Sequence, residues 1–284
     1  IRRPPRSTQS RSSAASDVYK RQHLLSQLPE IGPSKANQLY EKGITSPQEL
    51  LIKLSEDSEL INRKQKIGLR HYHDLAKRIP RDEMHRWKEF LIIIVEELME
   101  IYKISDYTCE IVGSYRRNCP DSGDIDFFLS IPDWISDEKT GHIMKEIQEE
   151  LIRIDSLHPD DTFSCGSHKL MCVAKIGPNS TNRHLDIFIF KKSQLPFAIL
   201  HATGCGEFNV RLRNHAITLG WSLSEKGLSS YCDKINSSKI VKKPTLTFFN
   251  KEEDIFHFLG LEMIQPSDRH PNSKFAPIKD IDED

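Results

Sequence analysis

With 284 residues and 37% hydrophobic content, the chain can bury one large core or two to three small ones, and it reads as a soluble globular protein. Its longest apolar run, from Phe90 to Val95, is far shorter than a bilayer span and is flanked by charges at helical spacing, which excludes a transmembrane helix. A formal net charge of −1 excludes nucleic-acid binding through global charge, so any such binding must come from local patches.

Residues 1–22, "IRRPPRSTQSRSSAASDVYKRQ", hold six basic residues and one acid, lack apolar periodicity and read as disordered. They also resemble translated adapter sequence foreign to a natural protein. From Leu24 to Lys77 the pattern is helical and punctuated by turns, so residues 23–80 form a small all-helical unit closed by Pro80. A long amphipathic helix, "RDEMHRWKEFLIIIVEELMEIY", opens the next unit, residues 81–192. In it the short strands "YTCEIVG", "DIDFFLS", "KLMCVAKI" and "HLDIFIF" surround one further helix, "EKTGHIMKEIQEELIRI". Strands mixed with few helices predict an α+β layer with helices on one face. Residues 193–284 begin with two helical segments, continue in short β-like pieces and end in the acidic, fraying tail "KDIDED". The six cysteines form neither CxxC pairs nor a dense scaffold, which predicts free thiols in a reducing, intracellular compartment.

The chemistry concentrates in "GSYRRNCPDSGDIDFFLS", residues 113–130. Asp124 and Asp126 are two apart at the head of a strand, so both carboxylates point to one face. Their repulsion is offset by a divalent cation, and oxygen ligands favour Mg²⁺ or Mn²⁺; a strand edge also carries such pairs by chance. Asp186 stands in the apolar strand "RHLDIFIF", which reads as fully buried, and a buried carboxylate needs a cation or strong donors. If that strand lies beside the first, three carboxylates form a two-metal site for in-line phosphoryl transfer. Upstream, Gly113 and Ser114 offer close backbone approach and a hydroxyl, while Arg116 and Arg117 offer forked cationic donors to phosphate oxygens.

The segments "GSYRRNCPDSGDID", "RHLDIFIF", "KRIPRDEM" and "TGCGEFNVRLRNHA" together resemble the signatures of family X DNA polymerases, in order from about Leu24 to Pro271. The resemblance implies a nucleotidyltransferase palm between a helix-hairpin-helix subdomain and a C-terminal α/β nucleotide-selection subdomain. Asp124 and Asp126 would hold both Mg²⁺ (or Mn²⁺) ions, and Asp186 would bind the catalytic ion and help deprotonate the primer 3′-hydroxyl. Triphosphate contacts fall on Arg78, Gly113, Ser114, Arg117 and Gly123. His201, Ala202, Thr203 and Gly204 take the segment under the nucleotide sugar, Asn209 the contact to the incoming base and Arg213 the contact to the template strand. The stretch "LPEIGPSKANQLYEKGI" is similar to the family's second helix-hairpin-helix, which grips the primer backbone near Gly32 and Lys35. There the carbonyls of Ser26, Leu28 and Ile31 would hold Na⁺ or K⁺.

Several positions depart from the family pattern. Its first hairpin glycine is Glu30, its arginine before the third carboxylate is His184 with Arg183 alongside, and its sugar-facing aromatic pair is His201 and Ala202. Its N-terminal lyase domain has no counterpart before residue 24. The implied activity is template-directed gap filling in DNA repair by a nuclear monomer acting on gapped or nicked duplex DNA and deoxynucleoside triphosphates. A template-independent or RNA-directed nucleotidyltransferase and a silent DNA-end-binding module are the alternatives. The short connection "KIGPNSTNRH" disfavours template independence, and the three carboxylates disfavour the silent module.

Overall fold

The computed structural model describes residues 24–26, 28–231 and 248–278. The expected disorder of residues 1–22, the fraying of the "KDIDED" tail and Cys232 lie outside them. No described helix is long and apolar enough to cross a membrane.

The first unit is helical: α1 (Pro33–Glu41), α2 (Pro47–Leu54), α3 (Arg63–Arg70) and the single turn α4 (Tyr72–Leu75). Each of the longer three starts where local chemistry dictates. Pro33 opens α1 after Gly32, the Ser46 hydroxyl accepts from the Glu49 amide at α2, and Asn62 and Gln65 form a reciprocal capping box at α3. Their apolar stripes close on Leu25, Leu28, Ile31, Leu39 and Leu50, all buried. The Gln65 side chain, itself buried, donates to the Glu30 carbonyl and locks the turn before α1 onto α3.

A two-residue pairing of β1 (Ile79–Pro80) leads into the long helix α5 (Arg81–Tyr102). Next come β2 (Thr108–Ile111), the short helix α6 (Gly113–Arg116), β3 (Asp121–Ser122), β4 (Ile125–Ile131), helix α7 (Asp137–Arg153), β5 (Leu157–Cys165), β6 (Lys169–Ala174) and β7 (Arg183–Lys191). The sheet order is β2-β4-β7-β6-β5, with β4 and β7 parallel and the other neighbours antiparallel. One face packs against α5 and α7 through Trp87, Leu91, Ile143, Phe127, Leu185 and Ile187. The α+β layer read from the sequence is therefore the architecture.

One local expectation is corrected. The "GSYRR" segment forms the helical turn α6, because Gly113 adopts φ +65° and turns the chain directly off β2. The strand at Asp186, expected to be buried on both faces, alternates: Leu185, Ile187 and Ile189 are buried against the helices, while His184, Asp186, Phe188 and Phe190 form a partly open row.

The third unit comprises α8 (Leu195–Thr203), α9 (Gly206–Thr218), the hairpin β8 (Trp221–Ser224) and β9 (Gly227–Ser230), and α10 (Glu252–Phe258). Phe197, Phe208, Leu212, Ile255 and Phe256 make its separate core. Cys109, Cys119, Cys165, Cys172 and Cys205 are free thiols.

Candidate active site

The parallel pairing of β4 with β7 sets Asp126 directly opposite Asp186. Asp124, one residue before β4, is exposed on the same rim, so three carboxylates lie on the N-terminal side of the row formed by Phe128, Phe188 and Phe190. Burial, then the charges of Asp124 and Asp186, push the Asp126 carboxyl up to about 7, while His184 and Lys169 act in the opposite direction.

Asp186 is already held on both oxygens. His184 Nε2 lies 3.0 Å from its Oδ1 and Lys169 Nζ 3.6 Å from its Oδ2. Burial works against protonation of His184, yet the hydrogen bond to Asp186 and the charges of Asp186, Asp124 and Asp126 raise its pKa. The imidazole is stacked on Phe163, with ring centroids 5.2 Å apart and planes 16° from parallel. Among the described residues no three acidic, histidine or cysteine side chains already converge into a finished metal cage. The donor set nevertheless fits a hard divalent cation: the ligands are carboxylate oxygens, and after burial it is the neighbouring negative charge of Asp124 and Asp186 that raises the Asp126 carboxyl, a repulsion such an ion relieves.

The phosphate-side residues cluster beside this rim. A Cβ on Gly113 would stand 3.0 Å from Asp126 Oδ2 in a backbone conformation that side chains rarely adopt, so glycine is required there. The Ser114 hydroxyl is 2.9 Å from that of Ser122. Arg78 pairs with Asp121 at 2.7 Å and approaches Gly123, and Arg117 donates to the Thr203 carbonyl at 2.8 Å. Arg116, expected to offer a phosphate donor, is turned away. It donates to Thr203 Oγ1 at 2.9 Å and pairs with Glu110 at 3.3 Å and Glu252 at 2.6 Å, because those acceptors surround its half-buried side chain. Arg183 is not a substitute for the family arginine at position 184. It points to the opposite face, where both ends of its fork bond Glu83 at 2.7 Å and a third donor reaches the Lys77 carbonyl.

The C-terminal residues form a second group. Gly204 follows α8, and a Cβ there would meet Asn209 Oδ1 at 2.6 Å. Asn209 donates to the His201 carbonyl at 2.6 Å, and Arg213 donates to His201 Nδ1 at 3.0 Å. Burial, then the neighbouring Arg213 charge, lower the His201 pKa. Ala202 packs on the cluster of Val112, Phe128 and Ala198. Thr203 is fully buried.

The hairpin residues stand apart from the carboxylates. Glu30 adopts φ +64°, a left-handed conformation that favours glycine. The Leu28 carbonyl accepts from the Ile31 amide at 3.0 Å, Gly32 precedes α1, and no side chain caps that helix, near whose start Lys35 lies. Sequence reasoning missed Lys169, Phe163, Glu252 and Arg269. Each reaches its partner through sheet register or through subdomain packing, which local spacing does not encode.

Residues 23–76 match the fingers domain of DNA polymerase lambda, residues 78–192 the DNA polymerase beta palm and residues 198–270 the DNA polymerase beta thumb. The chain is 27% identical to DNA polymerase lambda of Arabidopsis thaliana over 84% of its own length, and 26% identical to the human DNA-directed DNA/RNA polymerase mu over 90%. It spans 44% of the first relative and 53% of the second. Among solved structures it is similar to Leishmania infantum polymerase beta in a ternary gap complex, with TM-score 0.77, 26% identity and coverage of 90% of this chain and 91% of that one. The same protein in a ternary P/T complex gives TM-score 0.76 and 28% identity, with 90% of this chain and 100% of that one covered. Three matched segments follow one another in a single order across a sheet that pairs Asp126 with Asp186, and on that ground the chain belongs to the family X DNA polymerases.

Proposed function

We propose that this chain is a DNA-directed DNA polymerase that adds deoxynucleotides to a primer 3′-hydroxyl, filling short gaps in duplex DNA during nuclear repair. The observation that carries the reading is the Asp126–Asp186 pairing on parallel strands, with Asp124 on the same rim and Gly113 so close that an added Cβ would stand 3.0 Å from Asp126 Oδ2. In this reading the chain divides at residues 23–80, 81–192 and 193–284 and acts as a monomer.

Asp124, Asp126 and Asp186 would hold Mg²⁺ or Mn²⁺, two ions in all, whose chemistry is Lewis-acid activation of the attacking hydroxyl and charge neutralisation on the triphosphate. Asp186 accepts the proton of the primer hydroxyl as the attacking oxygen approaches. The amides of the Gly113–Ser114 turn, the Ser114 hydroxyl, Arg78, Arg117 and Gly123 cradle the triphosphate oxygens, aligning the transferred phosphorus for in-line displacement. Arg117 is also tied to the Thr203 carbonyl, so occupation of the triphosphate cradle is coupled to the segment under the sugar. His201, Ala202 and Gly204 line that segment. Asn209, which orders the His201 carbonyl, faces the incoming base, and Arg213 the template strand. The hairpin at Gly32 and Lys35 holds the primer backbone, with Ser26, Leu28 and Ile31 offering carbonyls to Na⁺ or K⁺.

The relatives support template-directed synthesis, since both solved neighbours are described as ternary complexes, one with a gap and one with P/T. The test is extension of a one-nucleotide-gapped duplex against single-stranded DNA, with and without Mg²⁺. Metal-dependent, template-matched insertion into the gap is expected. Untemplated extension of single strands would favour a template-independent transferase, and binding of DNA ends without insertion a silent module.

A further inference from the structure

The segment "KRIPRDEM" carries two arginines, of which the site described above uses Arg78 alone. The second, Arg81, is the first residue of α5 and turns its side chain to the stretch between α6 and β3. That stretch joins the triphosphate cradle at Gly113–Ser114 to the carboxylate rim beginning at Gly123.

The Arg81 guanidinium reaches three acceptors there. Nη1 donates to the Tyr115 carbonyl at 2.8 Å and to the Cys119 carbonyl at 3.3 Å, and Nη2 donates to Asn118 Oδ1 at 2.9 Å. The Arg81 amide adds a bond to the Pro120 carbonyl at 3.1 Å. The same cation lies 4.4 Å from the ring centroid of buried Tyr115, whose hydroxyl stands 2.8 Å from His85 Nδ1. The stretch needs such a clamp. Asn118 holds φ +64°, which side chains rarely adopt, and the ladder tying β1 to β3 is only two residues long. Its path also decides where the cradle sits, because Ser114 Oγ meets Ser122 Oγ at 2.9 Å across it. The Asp126–Asp186 pairing, by contrast, is set by the longer β4–β7 ladder.

We propose that Arg81 is a positioning residue for the polymerase reaction, fixing the distance between the triphosphate cradle and the carboxylate rim by acting through residues 115–120. The inference rests on the cradle reading given above. The fork is essential to it: a rigid guanidinium serves several acceptors at once, whereas a lysine ammonium is a compact point charge on a flexible stem.

The test compares the native full chain with Arg81→Lys in single-turnover gap filling at fixed free Mg²⁺, with inorganic tripolyphosphate competing against the incoming nucleotide. Tripolyphosphate reads the cradle without base or sugar. Its inhibition constant and the nucleotide Kd should each rise about tenfold in Arg81→Lys, with a smaller fall in maximal rate and gapped-duplex affinity within about twofold of native. Ser114→Ala should add little in the Arg81→Lys background, since the turn it disables is already displaced. Asn118→Gly removes one acceptor while suiting the backbone, and should raise the tripolyphosphate constant about threefold. Unchanged tripolyphosphate inhibition in Arg81→Lys, or in Asn118→Gly where Arg81→Lys does not fold, overturns the positioning role. So does full additivity with Ser114→Ala, or an equal loss of duplex affinity, which would mark a general loosening of the fold. Absence of tripolyphosphate competition in the native chain overturns the cradle reading and this inference together.

Discussion

Asp126 and Asp186 occupy equivalent positions in the sheet but differ in what surrounds them. Asp186 has His184 and Lys169 as partners; Asp126 has burial and two like charges, which hold its carboxyl at about 7. In the unfolded chain it would titrate near the ordinary aspartate value of 3.8. Between those two values the folded, metal-free chain binds the extra proton, so its stability falls as pH rises through that window. Chemical denaturation in a chelator should therefore give a lower midpoint at pH 8 than at pH 5 from this group, and Mg²⁺ should cancel the difference. Asp126→Asn should raise the metal-free midpoint at pH 8 and abolish the Mg²⁺ effect. Asp186→Asn acts elsewhere: it preserves shape but removes a metal ligand and the acceptor for the primer proton. Single-turnover gap filling should slow by about 10²–10⁴-fold with little change in melting temperature. Near-normal extension would remove Asp186 from its catalytic role.

Within the elements, the hairpin before α1 is where this chain keeps a shape while changing its side chain. Glu30 holds the left-handed conformation because its carbonyl is pinned by Gln65 and the flanking Leu28 and Ile31 are buried. Glu30→Gly should stabilise the chain by about 1 kcal/mol through relief of that strain, less the added freedom of the unfolded state. It should also tighten duplex binding at low salt by removing an acidic side chain from the α1 end, and a salt titration of DNA affinity checks this. Gln65→Ala should cost about 1–3 kcal/mol by leaving the Glu30 carbonyl without its donor. The same hairpin shows what the sequence conveyed. Turn residues and apolar stripes announced α1 to α3, and the Asp124–Asp126 spacing announced a paired carboxylate rim. What spacing could not convey was register: Lys169 and Asp186 sit on antiparallel neighbours β6 and β7, and their meeting depends on how those strands slide. Arg116 misled for a related reason. Its local motif matches a phosphate donor, but its acceptors, Thr203 and Glu252, arrive from another subdomain.

Over the whole molecule, those distant acceptors define how the palm and the C-terminal unit are joined. Glu252, at the start of α10 and only 6% exposed, bonds Arg269 through Oε1 and Arg116 through Oε2, each at 2.6 Å. Arg116 and Arg117 in turn grip Thr203, so one carboxylate secures both the C-terminal core and the segment proposed to lie under the nucleotide sugar. A buried ion network is an uncertain source of net stability, but removal of its central member leaves charges stranded. Arg269 is fully buried and its guanidinium cannot shed its proton to escape. Glu252→Ala should therefore cost about 3–5 kcal/mol, and the loss should fall on the C-terminal unit because its Phe208 and Phe256 core is separate from that of the palm. Calorimetry should then resolve a new low-temperature transition for that unit, with the palm melting nearly unchanged. Glu252→Gln, which can still accept from one arginine, should shift the transition less. Gap filling by Glu252→Gln should show a raised KM for the nucleotide with a smaller change in kcat, since Thr203 loses part of its support while the three carboxylates keep theirs. A single transition at the native temperature in Glu252→Ala would mean that apolar packing alone joins the two units and that the Arg116 contact to Thr203 is incidental.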